Sequence, residues 1–145
     1  NIYSNLESYW SIISYVSQHS FIFSGSLAYN ISLKNKLDEN DKKKLQEIYD
    51  LLNFQSFISY ENFINKEFNI FGDKISGGQK QRICLARAIY KKPSILILDE
   101  ALSGLEKKSE ILILSNIIKY IPNLTLIATS HRPVKKFFDK KIKLK

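Results

Sequence analysis

Three short apolar segments of the chain have the pattern of buried strands. They read "YWSIISYV" from Tyr9 to Val16, "SILILDE" from Ser94 to Glu100 and "LTLIATS" from Leu124 to Ser130. Each is rich in β-branched or aromatic residues and is short for a buried helix, so each predicts a strand. A further short strand is expected in "KIKLK" at the end of the sequence.

Between these strands, apolar residues recur at helical spacing. Asp41 is a suitable N-cap for the first of the predicted helices, and Pro93 and Pro122 stop the last two. The predicted helices run from about Asp41, from about Phe54 to Ile64, from after Gly77-Gly78 to about Tyr90 and from about Leu105 to Tyr120.

The second half of the chain has the order strand, helix, strand, with strands that are apolar on both faces. This order is typical of a parallel sheet covered by helices, so we expect one α/β domain. Ligands of such sheets bind at the carboxyl ends of the strands. Polar residues follow three of the predicted strands: Gln18, Asp99, Glu100 and His131. The sequence therefore predicts a single site at that edge.

Composition narrows the class of protein. The 145 residues carry a net charge of +8, nearly all from lysine, but show no patch of arginines and aromatic residues, so no nucleic-acid partner is expected. The apolar runs are far shorter than the roughly 20 residues of a membrane-spanning helix. Cys84 is the single cysteine, which excludes an internal disulfide. Because the chain starts at Asn1 and contains no methionine, we expect it to be an excerpt of a longer polypeptide.

The stretch "ISGGQKQRICLARA" places Ser76, Gly77 and Gly78 directly before a helix. Ser76 is a good N-cap, and the first amides of a helix form a ready anion site that a phosphate can approach where glycine removes the Cβ. The same residues are also compatible with a simple loop that ends in a helix cap. On this segment alone, the two interpretations are about equal.

The acid pair after "ILIL" also has two interpretations. Asp99 and Glu100 can be a solvated strand end, or a site where an aspartate holds Mg²⁺ beside nucleotide phosphates. The neighbouring glutamate would then orient and deprotonate an attacking water. His131 could donate a hydrogen bond to a γ-phosphate, and the Gln18 amide oxygen could bind Mg²⁺ or hold the water.

Taken together, these segments resemble the ATP-binding domain of ABC transporters. "YVSQ" with Gln18 resembles the Q-loop, "ISGGQKQR" the LSGGQ signature with Ile75 in place of leucine, and "ILILDE" the Walker B motif with its following glutamate. "ALSGLE" lies where the D-loop is expected, and "ATSHR" resembles the switch histidine loop. "FIFSGSLAYNI" is similar to exporter-type members. Five short motifs in the right order are far more specific than any one of them.

The resemblance implies a fold, partners and cofactors. The fold would be part of a P-loop NTPase-like parallel sheet with flanking helices and an inserted α-helical subdomain; residues 1–19 and 91–145 would form the catalytic core and residues 20–90 the helical subdomain with the signature. ATP and Mg²⁺ would be the cofactors. Two such domains would pair head to tail, and a transmembrane domain of the transporter would be the other partner, at the cytoplasmic face of the cell membrane.

The resemblance also implies roles for individual residues. Glu100, His131 and Gln18 would be catalytic, and Asp99 and Gln18 would hold Mg²⁺. The signature would cap the γ-phosphate of an ATP bound by the opposite subunit, and Ser103 would belong to the D-loop. The signature residues are Ser76, Gly77, Gly78 and Gln79.

The chain departs from the family pattern at several points. No G-x-x-x-x-G-K-[ST] motif, the Walker A loop, occurs in the sequence, so this chain alone is expected to bind ATP poorly and hydrolyse scarcely any. Gly104 and Glu106 stand where the D-loop has alanine and aspartate, and Ile70 replaces a usual glutamate. Two alternatives therefore stay open: a non-transport ABC ATPase of the DNA-repair or chromosome type, and a non-catalytic remnant.

Overall fold

The computed structural model describes residues 10–19, 21–68, 75–129, 137–140 and 142. In chain order the elements are strand β1 (Ile13–Val16), strand β2 (Gly25–Ser26), helix α1 (Leu27–Ser32), helix α2 (Glu39–Leu51), a 3₁₀ helix (Phe54–Ser56), helix α3 (Tyr60–Asn65), strand β3 (Glu67–Phe68), helix α4 (Gly77–Tyr90), strand β4 (Ile95–Asp99), helix α5 (Lys107–Tyr120) and strand β5 (Thr125–Thr129).

A parallel sheet in the order β1-β4-β5 places the candidate site. Leu98 of β4 pairs with Val16 on one side and Ala128 on the other, and Asp99 pairs with Thr129. Because side chains alternate along a strand, Leu96 and Leu98 face the packed helices and are buried. The predicted parallel α/β sheet is therefore confirmed, and the carboxyl ends of its strands meet at one edge.

The core joins this sheet to the helices. Tyr49, Phe54 and Phe63 form an aromatic cluster, with the Phe54 and Phe63 ring centroids 4.9 Å apart. Further buried side chains come from α1, α2, α4 and α5, among them Leu27, Ile31, Leu45, Ile48, Ile83, Leu85, Ile89, Ile113, Leu114 and Ile117. Apolar burial of this extent is the main term that holds the elements together.

Several local predictions need correction. β1 begins at Ile13, whereas the strand was expected from Tyr9; Trp10, Ser11 and Ile12 are helical, and the Trp10 side chain is 68% exposed, unlike a buried strand residue. α2 begins at Glu39 because Asp38, and not Asp41, is its N-cap. The segment from Phe54 to Ile64 forms two pieces, since the Ser59 side chain accepts a hydrogen bond from the backbone of α3 and starts a new helix there.

Some expectations fall on residues that the structure does not describe. These include His131 and Ile70, together with most of "KIKLK". In the part of the chain that is described, no helix has the length and apolar character needed to cross a bilayer. The antiparallel pair of β2 and β3, and the short helix α1, were not predicted.

Candidate functional site

Gln18 and Glu100 meet at the carboxyl edge of the sheet. Gln18 lies two residues after β1 and Glu100 directly follows β4. The Gln18 Nε2 amide donates a hydrogen bond of 2.8 Å to Glu100 Oε2. The bond orients the carboxylate of Glu100 across the gap between two adjacent strands. Strand register brings the two residues to the same level, because Val16 pairs with Leu98 and each residue follows two positions later.

Two hydroxyl groups hold Asp99. Thr129 Oγ1 donates to Asp99 Oδ1 at 2.7 Å, and the Tyr15 hydroxyl donates to Asp99 Oδ2 at 2.9 Å. The bond from Thr129, followed by the bond from Tyr15, holds the pKa of Asp99 below its ordinary value, although partial burial acts in the opposite direction. The same bond to Asp99 raises the pKa of Tyr15. Asp99 is therefore a carboxylate at neutral pH.

Glu100 has an unusual backbone conformation. Its φ is 50°, in the left-handed region that residues with a Cβ seldom adopt. The Glu100 N–H donates to Thr129 Oγ1 at 3.0 Å, so the threonine that holds Asp99 also holds this strained peptide. The left-handed residue turns the chain sharply out of β4 and keeps the Glu100 side chain at the edge. Such conformations cost about 1–3 kcal/mol and are concentrated at functional sites.

Sequence reasoning missed Tyr15 and Thr129. The available signal was register: once β4 and β5 are paired in parallel, the last residue of β5 lies beside Asp99. Tyr15 pairs with Ile97, two residues before Asp99, and so projects from the same face of the sheet. His131, the other residue predicted for this edge, lies outside the described residues.

The signature residues form the capped start of α4. Ser76 Oγ accepts from the Gln79 N–H at 3.2 Å, and Gln79 Oε1 accepts from the Ser76 N–H at 2.9 Å, which makes a reciprocal capping box. A Cβ added to Gly77 would meet nothing within 4 Å. The first turn of α4 therefore presents open backbone on the Gly77 side.

Gly78 has a different environment from Gly77. A Cβ at position 78 would lie 2.9 Å from the carbonyl oxygen of Gly104, which belongs to the turn after β4. This close approach is within the chain and needs no ligand. The sequence motif thus combines an open glycine with a glycine that is required for packing.

Gln81 is a third residue that the sequence did not reveal. Its Oε1 accepts from the Gly104 N–H at 2.9 Å, and its Nε2 donates to Ser103 Oγ at 3.3 Å. The residue expected in the D-loop, Ser103, is therefore connected to the signature helix of the same chain. A glutamine that is buried on a helix gives no local sequence signal of its partner.

The donor set at the edge fits Mg²⁺. Carboxylate, amide and hydroxyl oxygens come from Asp99, Glu100, Gln18 and Thr129, and hard oxygen donors are what Mg²⁺ prefers. Within the described residues there is no group of three or more His, Cys, Asp or Glu side chains that could hold a metal. Mg²⁺ typically binds one or two carboxylates and takes its other ligands from water and phosphates, which is compatible with this edge.

A helix-covered parallel sheet with acidic and amide side chains at its carboxyl edge is typical of α/β proteins that bind their ligands at that edge. The chain belongs to the ABC transporter family, whose model matches residues 3–103. The resemblance drawn from the motifs is therefore confirmed.

Individual relatives show the same affiliation. The chain is 38% identical over 128 residues to ABC transporter B family member 29, chloroplastic, of Arabidopsis thaliana, covering 88% of this chain and 20% of that protein. It is 41% identical over 139 residues to the ATP-dependent permease MDL1 of Candida albicans, covering 88% of this chain and 19% of the permease.

A solved structure extends the similarity to the fold. A bacterial Atm1-family ABC exporter with ATP bound matches with a TM-score of 0.71 and 28% identity, over 85% of this chain and 22% of the exporter chain. The chain thus spans about a fifth of the length of these relatives. It has the fold of an ABC exporter nucleotide-binding domain.

Proposed function

We propose that this chain forms the C-terminal portion of an ATP-hydrolysing domain that powers substrate export by an ABC transporter. The observation that carries the proposal is the bond between Gln18 Nε2 and Glu100 Oε2, next to an ionised Asp99. The printed names of the relatives, which are transporters, permeases or exporters, favour transport over the DNA-repair alternative. The domain would lie at the cytoplasmic face of a membrane, against a transmembrane domain.

In this mechanism Glu100 is the general base. Its carboxylate would orient the attacking water and accept its proton, while Gln18 fixes the direction of the carboxylate. Asp99 and the Gln18 amide oxygen would hold Mg²⁺, which supplies charge neutralisation at the phosphates when bound. The Thr129 and Tyr15 bonds keep Asp99 ionised for that task. His131 would donate a hydrogen bond to the γ-phosphate, as the resemblance implies.

The start of α4 would act on ATP held by a second domain. Ser76, Gly77, Gly78 and Gln79 would cap its γ-phosphate in a head-to-tail dimer, with Ser103 in the adjoining D-loop. Ser76 Oγ already accepts from the Gln79 N–H, but its hydroxyl proton is still a donor to a phosphate oxygen. The open surroundings of Gly77 let a phosphate approach the backbone amides.

Hydrolysis by this chain alone is not expected. The sequence has no G-x-x-x-x-G-K-[ST] motif to cradle the phosphates, so the proposed activity belongs to the native polypeptide in which the chain works. Micromolar binding of Mg-ATP by the isolated chain would contradict this part of the proposal.

The deciding experiment is Glu100→Gln in the native polypeptide. Loss of the base should lower kcat for ATP hydrolysis by about 10²–10⁴-fold and leave ATP bound at the site. Phosphate release and retained ATP are measured together. Glu61→Gln, an exposed glutamate on α3, is the matched control and should retain the wild-type rate. Unchanged hydrolysis in Glu100→Gln would remove Glu100 as the base.

A further inference from the structure

A polar joint connects helix α4 to the turn that follows β4. Gln81 is only 8% exposed, and both ends of its amide are used: Oε1 accepts from the Gly104 N–H at 2.9 Å and Nε2 donates to Ser103 Oγ at 3.3 Å. Buried polar groups of this kind are costly to leave unpaired, because the desolvation penalty then has no compensating bond.

Two glycines make this joint possible. A Cβ on Gly78 would lie 2.9 Å from the Gly104 carbonyl oxygen, and a Cβ on Gly104 would lie 2.9 Å from Gln81 Oε1. Where Gly78 of α4 meets Gly104 of the turn, a Cβ on Gly78 would have no room beside the Gly104 carbonyl oxygen. We call Gly78, Gln81, Ser103 and Gly104 the signature–turn joint.

The same turn is anchored at its other end to the candidate base. The Ser103 N–H donates to the Glu100 carbonyl oxygen at 3.1 Å. A short path of hydrogen bonds thus runs from Glu100 through Ser103 to Gln81 and into the helix whose first turn carries Ser76. Because α4 is a regular helix of 14 residues, Gln81 and Ser76 move with the same rigid element.

We propose that Gln81 is a positioning residue for ATP hydrolysis: it fixes Ser103 and the signature turn of α4 as one unit, so that both reach the second nucleotide site together. The proposal rests on the proposed function. Gln81 itself needs no contact with ATP. Its contribution is the fixed geometry between the strand end that carries Glu100 and the helix start that carries Ser76.

The test uses the native polypeptide with Gln81→Leu and Gln81→Glu. Leucine removes both hydrogen bonds with little change in side-chain length, whereas the glutamate carboxylate still accepts from the Gly104 N–H and from the Ser103 hydroxyl. Gln81→Leu should lower kcat for ATP hydrolysis about tenfold and leave the KM for ATP within about twofold. Gln81→Glu should restore kcat to within about threefold of the wild type.

A second measurement reports on the joint without ATP hydrolysis. Hydrogen–deuterium exchange of the Gly104 amide should be about tenfold faster in Gln81→Leu and protected in Gln81→Glu. Exchange in α2 should be the same in all variants, which shows that the fold is intact. Lys119→Ala, which removes an exposed side chain from the last turn of α5, is the control for both measurements. If leucine prevents folding, Gln81→Asn, which is one methylene too short to reach the turn, takes its place with the same expectations.

The outcomes separate this inference from the proposed function. Faster Gly104 exchange with unchanged kcat in Gln81→Leu would overturn the positioning role, and so would an equal loss of kcat in the leucine and glutamate variants. A wild-type polypeptide that hydrolyses no ATP would instead overturn the proposed function, and the exchange measurement would still report whether the joint exists.

Discussion

Gly77 and Gly78 are adjacent in sequence, but the absence of a side chain has a different physical reason at each position. Position 77 is surrounded by open space, so its missing side chain leaves the helix amides accessible from outside. Position 78 is packed on the Gly104 carbonyl oxygen, so its missing side chain is needed by the fold itself. A single motif therefore contains one position that is free to serve a ligand and one that serves packing.

The two positions should respond differently to alanine. Gly78→Ala forces a methyl group against backbone and should lower the free energy of unfolding by about 1–3 kcal/mol. Gly77→Ala adds a methyl group in open space at a helix start and should change it by less than about 1 kcal/mol, toward greater stability. Urea unfolding curves of the wild type and the two variants, monitored by circular dichroism, give the free energies of unfolding. An equal loss of stability in both variants would contradict the distinction between an open position 77 and a packed position 78.

Helix α4 holds the neighbouring elements through two arginines. Arg87 Nε donates to the Asn30 carbonyl oxygen at 2.6 Å, and Arg87 Nη1 donates to the Phe21 carbonyl oxygen at 3.1 Å. Phe21 follows Gln18 by three positions in the sequence. Arg82 Nη1 donates to the Asn53 carbonyl oxygen at 2.9 Å and to Ser56 Oγ at 3.0 Å, just beyond the end of α2. Burial lowers the pKa of both guanidinium groups, which nevertheless stay charged at neutral pH. Hydrogen bonds with a charged donor are stronger than those between neutral groups.

Arg82 should therefore stabilise the junction between α4 and α2. Arg82→Ala leaves the Asn53 carbonyl oxygen without this charged donor and should lower the free energy of unfolding by about 1.5–3 kcal/mol. Arg82→Lys keeps the charge without the planar fork and should recover part of the loss. Chemical unfolding of the three proteins gives the values. Lys43→Ala, which removes an exposed charge from α2, is the control. If it lowered the free energy of unfolding as much as Arg82→Ala does, the effect would come from net charge and not from the hydrogen bonds of Arg82.

Periodic elements could be predicted from the sequence, whereas contacts between elements could not. The sequence predicted α4, its N-cap Ser76 and its end at Tyr90, because cap, periodicity and stop signals agree there; the helix includes the two glycines that were expected just before it. β2 and β3 have two residues each, too few to show an alternation. The partnership of Gln18 and Glu100 followed from strand order, but those of Gln81 and Thr129 depend on packing and register. The functional roles of these residues stay predictions.

Across the whole molecule, α4 is fixed at both ends. Its first turn packs on the turn after β4, and its last residue, Tyr90, donates to Asp41 Oδ1 at 2.6 Å. The same carboxylate accepts from Lys34 Nζ at 2.6 Å and belongs to the capping box of α2. The buried carboxylate of Asp41 therefore contacts a lysine, a tyrosine and the start of α2 at the same time, in a chain with a net charge of +8.

Asp41 should make the stability of the chain sensitive to acid. The Lys34 bond, and after it the Tyr90 bond, lower the pKa of Asp41 from 3.8 to about 2. A carboxyl group whose pKa is lower in the folded state stabilises fully above its unfolded pKa, and this stabilisation is lost as pH falls through the folded value. The wild type should therefore exceed Asp41→Asn in Tm at neutral pH, and the difference should shrink between about pH 4 and pH 2. Asp50→Asn, which removes an exposed carboxylate from the same helix, controls for net charge. A difference between wild type and Asp41→Asn that does not change with pH would show that the ionised carboxylate of Asp41 contributes nothing to the stability of the fold.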